Sequence, residues 1–417
     1  MTQSPATANF VGRQASRQAS LRRGRQADCV GRSEARCAQS SSGLPAGLLA
    51  AIATRLPRPR LACRAAAVVF MVALPCQPAS SVEYPTVVRD YQIEFPRDEG
   101  SHPDFRTEWW YITGWLETES GAPLGFQITF FRTRPGVDEE NPSRFTARQM
   151  LFAHAAISDP SRGRLLRDEK AAREGFGLAA AKQEVLDVQI DEWFLRQVGE
   201  RYRASVAGRE VTAELEFIPT QPVLLQGDGG YSQKGPQPES ASYYYSLPQL
   251  ATRGRIVMEG RELQVEGVAW FDHEWSSAVM DEAASGWDWV GLNLEEGSAL
   301  MAFRMRDEQG GKHWAAATLR AGSAGDRKAF APEEIDWTAL RYWRSPRTGV
   351  RYPIEWKVAV GGRTMVLKPL MDDQENDARS STGTLYWEGA VRAFDERGRQ
   401  IGRGYLELTG YGQRLKF

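Results

Sequence analysis

Two short clusters in this 417-residue chain gather side chains that can move protons. One is His102-Pro103 followed by Glu108-Trp109-Trp110-Tyr111, and the other is Trp270-Phe271-Asp272-His273-Glu274-Trp275-Ser276. The chain has four histidines, so His102, His154 and His273 beside aromatic runs stand out. In a strand, alternate side chains share a face. Leu263, Val265, Ala269, Phe271, His273 and Trp275 therefore share one face, and Glu266, Asp272 and Glu274 share the other. With the apolar face inward, His273 is interior and both carboxylates lie outside or at a second interface; only a bulge would reverse Asp272. A buried His paired to a carboxylate serves structure as readily as chemistry, and both readings stay open for His273.

Other chemistries fit the residues less well. His102, His154, His273, Glu108, Asp272 and Glu274 are all N or O donors. They lack a short spacing such as His-Glu-x-x-His, and three unrelated strands would have to converge, so no metal is expected. A Ser-His-Asp hydrolase would need a Gly-x-Ser-x-Gly elbow on a strand-to-helix turn, which the sequence does not contain. Aromatics at strand spacing are ordinarily core packing, but thirteen Trp favour an aromatic-lined cavity as well.

The elements that must position these groups read as strands. Runs rich in Trp, Tyr, Phe, Val, Ile and Thr recur between Gly, Pro, Asn and Asp punctuation, as in Glu108–Leu116 and Gly125–Arg132. Glu119-Ser120-Gly121 predicts a hairpin between these two, and Asp395-Glu396-Arg397-Gly398 predicts another. Helical periodicity is confined to pieces such as Gly177–Leu186. Many short strands with Gly-containing turns point to an all-β chain of antiparallel barrels or sandwiches. The chain also repeats itself. Trp109–Glu117 resembles Trp287–Glu295, each leading to a strand that ends in Arg, and Val265–Trp270 echoes Gly404–Thr409. A repeat this long is a domain duplication, with domains expected over 82–278 and 286–417. Between these landmarks, Pro219–Ser242 is Gly- and Pro-rich, and reads either as a gate over a barrel mouth or as a solvated insertion.

Composition bounds the function. Lys and Arg number 52 against 53 Asp and Glu, which argues against a nucleic-acid binder. Residues 1–54, rich in Arg, Gln and Ser, cannot form a core and read as disordered or as an over-extended start. Residues 55–81 read as a signal peptide, with a basic stretch, the apolar run Ala65–Leu74 and small residues Ala79-Ser80-Ser81 before Val82. This predicts an exported, periplasmic or envelope-associated protein. A lipoprotein acylated at Cys76 fits less well, because Ala73 and Pro75 make a poor lipobox. All four cysteines, Cys29, Cys37, Cys63 and Cys76, precede Val82, so the expected mature chain has no disulfide and no Cys-based zinc site.

Taken together, Thr107–Gly114, Phe152-Ala153-His154-Ala155, Phe271–Ser276, Tyr386–Gly389 and Gly402–Tyr411 resemble the secreted lipocalin-like proteins of the carotenoid 1,2-hydratase (hydroxyneurosporene synthase) and AttH family. The resemblance runs from about Tyr84 to Gly412. It implies two tandem lipocalin-like antiparallel β-barrels, a bacterial envelope setting and an apolar small-molecule ligand, isoprenoid or lipid-like. If the activity is hydration, a carboxylic acid kept neutral by burial protonates the alkene. Asp272, Asp288 and Glu108 are then the candidate acids, and His273 positions water. Trp109, Trp110, Tyr111, Trp275, Trp287 and Trp289 form the aromatic wall, with His154 as a further ligand contact. No cofactor is required. The alternatives are a non-catalytic monomeric carrier of a hydrophobic ligand and an accessory protein with an envelope transporter as partner.

Overall fold

The structure, a computed structural model, describes residues 82–415. The segment 1–54, the stretch 55–81 expected to be a signal peptide, and the four cysteines lie outside the described residues. Every regular element from Arg97 to Leu408 is a strand apart from two single 3-10 turns, Arg97–Glu99 and Pro332–Glu334. In the first sheet the spatial order is Arg164–Arg173, Met150–Asp159, Pro123–Thr133, Thr107–Thr118, Arg261–Ser276, Ala241–Met258 and Thr212–Ile218, continuing outward through four shorter strands. The second sheet repeats this plan from Gly286–Leu294, which lies between Ala299–Arg306 and Gln400–Leu408. All the ladders are antiparallel, and each sheet curls round its own apolar core as a lipocalin-like barrel. Both hairpins anticipated from turn residues are present, joining Thr107–Thr118 to Pro123–Thr133 and Thr384–Phe394 to Gln400–Leu408.

Burial along the strands reveals where the barrels meet. Arg201–Ala207 alternates buried and exposed residues, as a strand does with one face in water. Thr107–Thr118 is buried almost continuously, because its inner face packs in the first barrel and its outer face meets the second. Close approach requires small residues at the contact. A Cβ on Gly125 would stand 2.6 Å from the Ala390 Cβ of the opposite barrel. Nearby, Trp115 Nε1 donates to the Gly404 carbonyl at 3.0 Å, and Asn293 Nδ2 to the Ala269 carbonyl at 3.1 Å.

Four expectations need correction. Gly177–Leu186 is no helix: it holds the short strand Ala179–Ala181, and positive φ at Phe176, Gly177 and Glu184 interrupts any helical run. Pro219–Ser242 is neither gate nor solvated insertion. Leu224–Leu225 and Tyr231–Gln233 pair with Ala241–Met258, Gln226 and Ser232 are fully buried, and Trp314 Nε1 of the other barrel donates to the Gln233 carbonyl at 2.9 Å. It is a packed strap.

The repeat is real, but its register differs from the sequence alignment. Glu108 pairs with Arg132 across strands, and Asp288 with Arg304, so Trp109 corresponds to Trp289 rather than Trp287. Glu274 lies opposite Trp109, and Glu407 opposite Trp289, which shifts the tail alignment by a further few residues. Trp-rich strands resemble one another at several offsets, and only the ladder fixes one. Finally, the barrel interiors are filled by side chains such as Trp110, Phe126, Phe130, Trp356 and Trp387. A small cavity lined by residues of both sheets lies between the barrels.

Candidate active site between the two barrels

The outward faces of the paired central strands enclose a cavity of about 110 Å³. Its walls are aromatic: Trp109, Tyr111, Phe131 and Tyr244 from the first barrel, Trp287, Trp289, Phe303 and Tyr386 from the second. Four carboxyls also face it, Asp272, Glu274, Glu388 and Glu407. Strand period explains the convergence. Asp272 and Glu274 sit two residues apart on Arg261–Ser276, opposite Tyr111 and Trp109. Glu407 lies opposite Trp289 on one side and Glu388 on the other. The two barrels thus present matching outward faces related by the duplication.

These four carboxyls differ in charge state. Burial raises Glu388 well above its usual range, and neighbouring Glu407 adds to the rise. Its Oε1 and the facing Tyr111 hydroxyl lack a well-formed hydrogen bond. Burial lifts Glu407 to about 7, against one donor, Trp287 Nε1 at 2.9 Å from Oε2, and with Glu274 adding to the rise. Glu407 lies across the ladder from Glu388, so charge on Glu407 adds to the burial that holds Glu388 neutral. Asp272 is also raised by burial to about 7, but three donors oppose the shift: Ser246 Oγ at 2.5 Å, Trp270 Nε1 at 2.7 Å and Tyr244 Oη at 2.8 Å. Glu274 is tied to Lys234 Nζ at 2.9 Å and Ser242 Oγ at 2.5 Å. That ammonium rests over the Tyr244 and Phe303 rings.

Other sequence candidates lie elsewhere. His273 and Trp275 face the first barrel's core, as alternation predicted, and Trp110, expected in the aromatic wall, lies there too with Glu108 buried beside it. Glu108 Oε1 accepts from His102 Nδ1 at 2.8 Å and His273 Nε2 at 2.9 Å, while Oε2 accepts from Arg132 Nε at 2.8 Å. Burial opposes its charge, but Arg132 and His102 hold it well below the usual carboxylate range. Burial also disfavours charge on His102, yet Glu108 and Asp98 raise it on balance, each facing one of its ring nitrogens. Burial lowers His273, which stays neutral with Nδ1 toward Tyr245 Oη at 3.2 Å. Glu108 is therefore an anion with its lone pairs occupied, on the wrong side of its strand for the cavity. Asp288 is its counterpart in the second barrel, bound by Arg304 Nε at 2.6 Å, Arg306 Nε at 3.2 Å and Tyr411 Oη at 2.9 Å.

The convergence judged unfavourable from sequence does occur at one place. Among the described residues, His102, Glu108 and His273 bring three donor atoms within 4.8 Å of one another. The Arg132 guanidinium on the same carboxylate, with both imidazoles bonded to Glu108, makes this a hydrogen-bonded network as it stands.

The structure thus brings Asp272, Trp109, Tyr111, Trp287 and Trp289 together at the cavity. It sends Glu108, Trp110, His273 and Trp275 to one core and Asp288 to the other. His154 is buried at the barrel junction, bonded to the cavity residue Tyr386. Sequence reasoning missed Lys234, Glu388 and Glu407. The available signal was a lone Glu between apolar neighbours, as in Trp387-Glu388-Gly389 and Leu406-Glu407-Leu408, where alternation demands a second buried face.

A family model described as AttH-like matches residues 86–411. Among solved structures, a Nitrosomonas europaea protein bearing the AttH name is 46% identical, with a TM-score of 0.74, covering 78% of this chain and 99% of that one. Kievitone hydratase from Nectria haematococca shares the fold at 16% identity and a TM-score of 0.59, covering 80% of this chain and 97% of its own. No curated protein matches the sequence.

Proposed function

The chain belongs to the AttH-like family, and from that premise we propose that it takes the end of an apolar, unsaturated ligand into the inter-barrel cavity and adds water across a carbon–carbon double bond. The observation that carries this reading is the Glu388–Glu407 pair, two raised carboxyls facing each other across a ladder inside an aromatic cage. A neutral carboxyl is the acid that an unactivated alkene needs. The chemistry runs without a cofactor. Glu388 gives its proton to the less substituted carbon, and the cation forms on the more substituted one. The faces of Trp109, Trp289 and Tyr244 stabilise it. Water adds to the cation, Glu407 accepts the released proton, and transfer within the pair restores Glu388. Carbon gains one hydrogen and one hydroxyl, and the enzyme is unchanged.

Size supports a substrate end group. A cavity of about 110 Å³ is well below the roughly 300–1,000 Å³ of a pocket that swallows a whole ligand. The Lys234 charge is neutralised by Glu274, so it does not oppose a cation nearby. That a protein of this fold is named as a hydratase is consistent with the reading. The sequence of residues 55–81 leads us to place the activity outside the cytoplasm, which cell fractionation tests directly.

One observation favours the carrier instead: Asp272 and Glu274 are fully engaged by protein donors. The purified protein is incubated with acyclic isoprenoids in water enriched in heavy oxygen, and products are read by mass spectrometry. A tertiary alcohol carrying the label, lost in Glu388→Gln, supports the hydratase. A lipid co-purifying stoichiometrically and never changed, with no labelled product, supports the carrier.

A further inference from the structure

We propose that Tyr386, His154, Ser381 and Glu169 form a proton path joining the inter-barrel cavity to solvent. The proposal rests on the hydratase reading, since it feeds the same carboxyl pair. The hydrogen-bond partners fix its direction. Tyr386 Oη accepts from Asn376 Nδ2 at 2.8 Å and faces Gln127 Nε2 at 3.4 Å, so its single proton goes to His154 Nδ1 at 2.7 Å. The His154 proton then sits on Nε2, which faces Ser381 Oγ at 2.9 Å. Ser381 in turn donates to Glu169 Oε2, and Ser380 donates to the other oxygen of that carboxylate. The other acceptor near Ser381 Oγ, the Ala378 carbonyl, is farther off at 3.4 Å, and the chain runs one way from buried to half-buried.

The setting suits transfer. Tyr386 and Glu388 are two residues apart on one face of the same strand, and both line the cavity, which has room for a bridging water. Burial lowers His154 to about 4, so the ring rests neutral and stores no charge. Glu169 is kept ionised against its burial by Ser380 and Ser381, with Arg167 close by, and so passes an arriving proton on to solvent rather than keeping it. One passage outward moves a cavity proton onto Tyr386 as its own goes to Nδ1. The Nε2 proton then passes to Ser381, and the serine proton to Glu169. Only O–H and N–H bonds break and form, and inward passage restores the starting tautomer. Turnover at the pair is proton-neutral, so the path sets how many protons the pair holds between turnovers.

The same four residues would equally be a static clasp between barrels, and exchange kinetics separate the two. The full-length protein is moved into deuterated water, and the C=O stretch of the protonated cavity carboxyls is followed by infrared spectroscopy. Its shift rate is divided by the backbone amide exchange rate in the same sample, which removes any effect of global opening. Ser381→Ala is expected to slow this ratio by about tenfold or more, and Ser380→Ala, off the path, leaves it unchanged. His154→Gln, which can bond but not relay, slows it as Ser381→Ala does. Equal ratios in wild type, Ser381→Ala and His154→Gln overturn the path while leaving the hydratase reading intact. Absence of any protonated-carboxyl band overturns the hydratase reading, and this inference with it.

Discussion

Glu108 and Glu388 are both buried carboxyls on central strands, at 0% and 2% exposure, yet they hold opposite charge states. Glu108 is met by Arg132, His102, His273 and Ser101, and stays ionised despite full desolvation. Glu388 meets another carboxyl and one imperfectly placed phenol, and is driven neutral. Burial is the first influence on both, so burial alone does not decide charge; the donors around the group decide it. The same contrast assigns their work. An anion whose acceptors are all occupied holds the barrel end together, whereas a neutral acid with an idle oxygen facing a cavity can give up a proton.

The largest test of this contrast is Glu388→Gln. Catalysis is expected to fall by about 10²–10⁴-fold, with an unfolding midpoint at or above wild type, because a neutral group replaces a neutral group. Unchanged turnover of a hydrated isoprenoid would remove Glu388 as the acid. Glu108→Gln should do the reverse, costing about 3–5 kcal/mol of stability by leaving Arg132 and His102 buried without their counter-charge. Urea unfolding reads it, and Asp288→Asn, which strands Arg304 and Arg306, should fall in the same class.

A smaller effect lies in pH. Glu407 is raised in the fold, so its stabilising share is complete below the ordinary carboxylate range and is lost as pH climbs to about 7. Glu108 is depressed, so its share is present above the ordinary range and lost only as pH falls well into acid. Unfolding midpoints should therefore decline between about pH 4.5 and about pH 7, and Glu407→Gln should flatten that slope. A slope identical to wild type would show that Glu407 titrates normally. Smallest of all, Trp287→Phe removes the one donor to Glu407 Oε2. It should move the acid limb of the rate profile upward by about one pH unit, since Glu407 is the base.

Much of the fold was legible because strand period is written directly in residue order. Alternation alone sorted His273 into the first barrel and Asp272 away from it. The Gly-containing turns marked both hairpins. The cavity was less legible, because its residues come from outward faces of two barrels, and their juxtaposition depends on docking. Glu388 and Glu407 are nineteen positions apart in number and adjacent only through the ladder. Glu108 and Asp288 attracted attention by their aromatic neighbours, but each has an Arg directly across the strand pair, a relation that sequence spacing conceals.

Because the cavity is roofed and floored by the backs of the two curled sheets, neither hydrophobic core contributes its main packing to that chamber. A substitution at Phe131, Phe303 or Met305 reshapes the chamber while the interiors around Trp110 and Trp356 keep their fit. Selectivity in such an architecture can drift during evolution at little risk to folding, much as a joint between two rigid blocks is recut without touching either block. The contact of Gly125 with Ala390 sets the gauge of that joint. A bulkier residue there would open the chamber from its far edge and admit a larger guest.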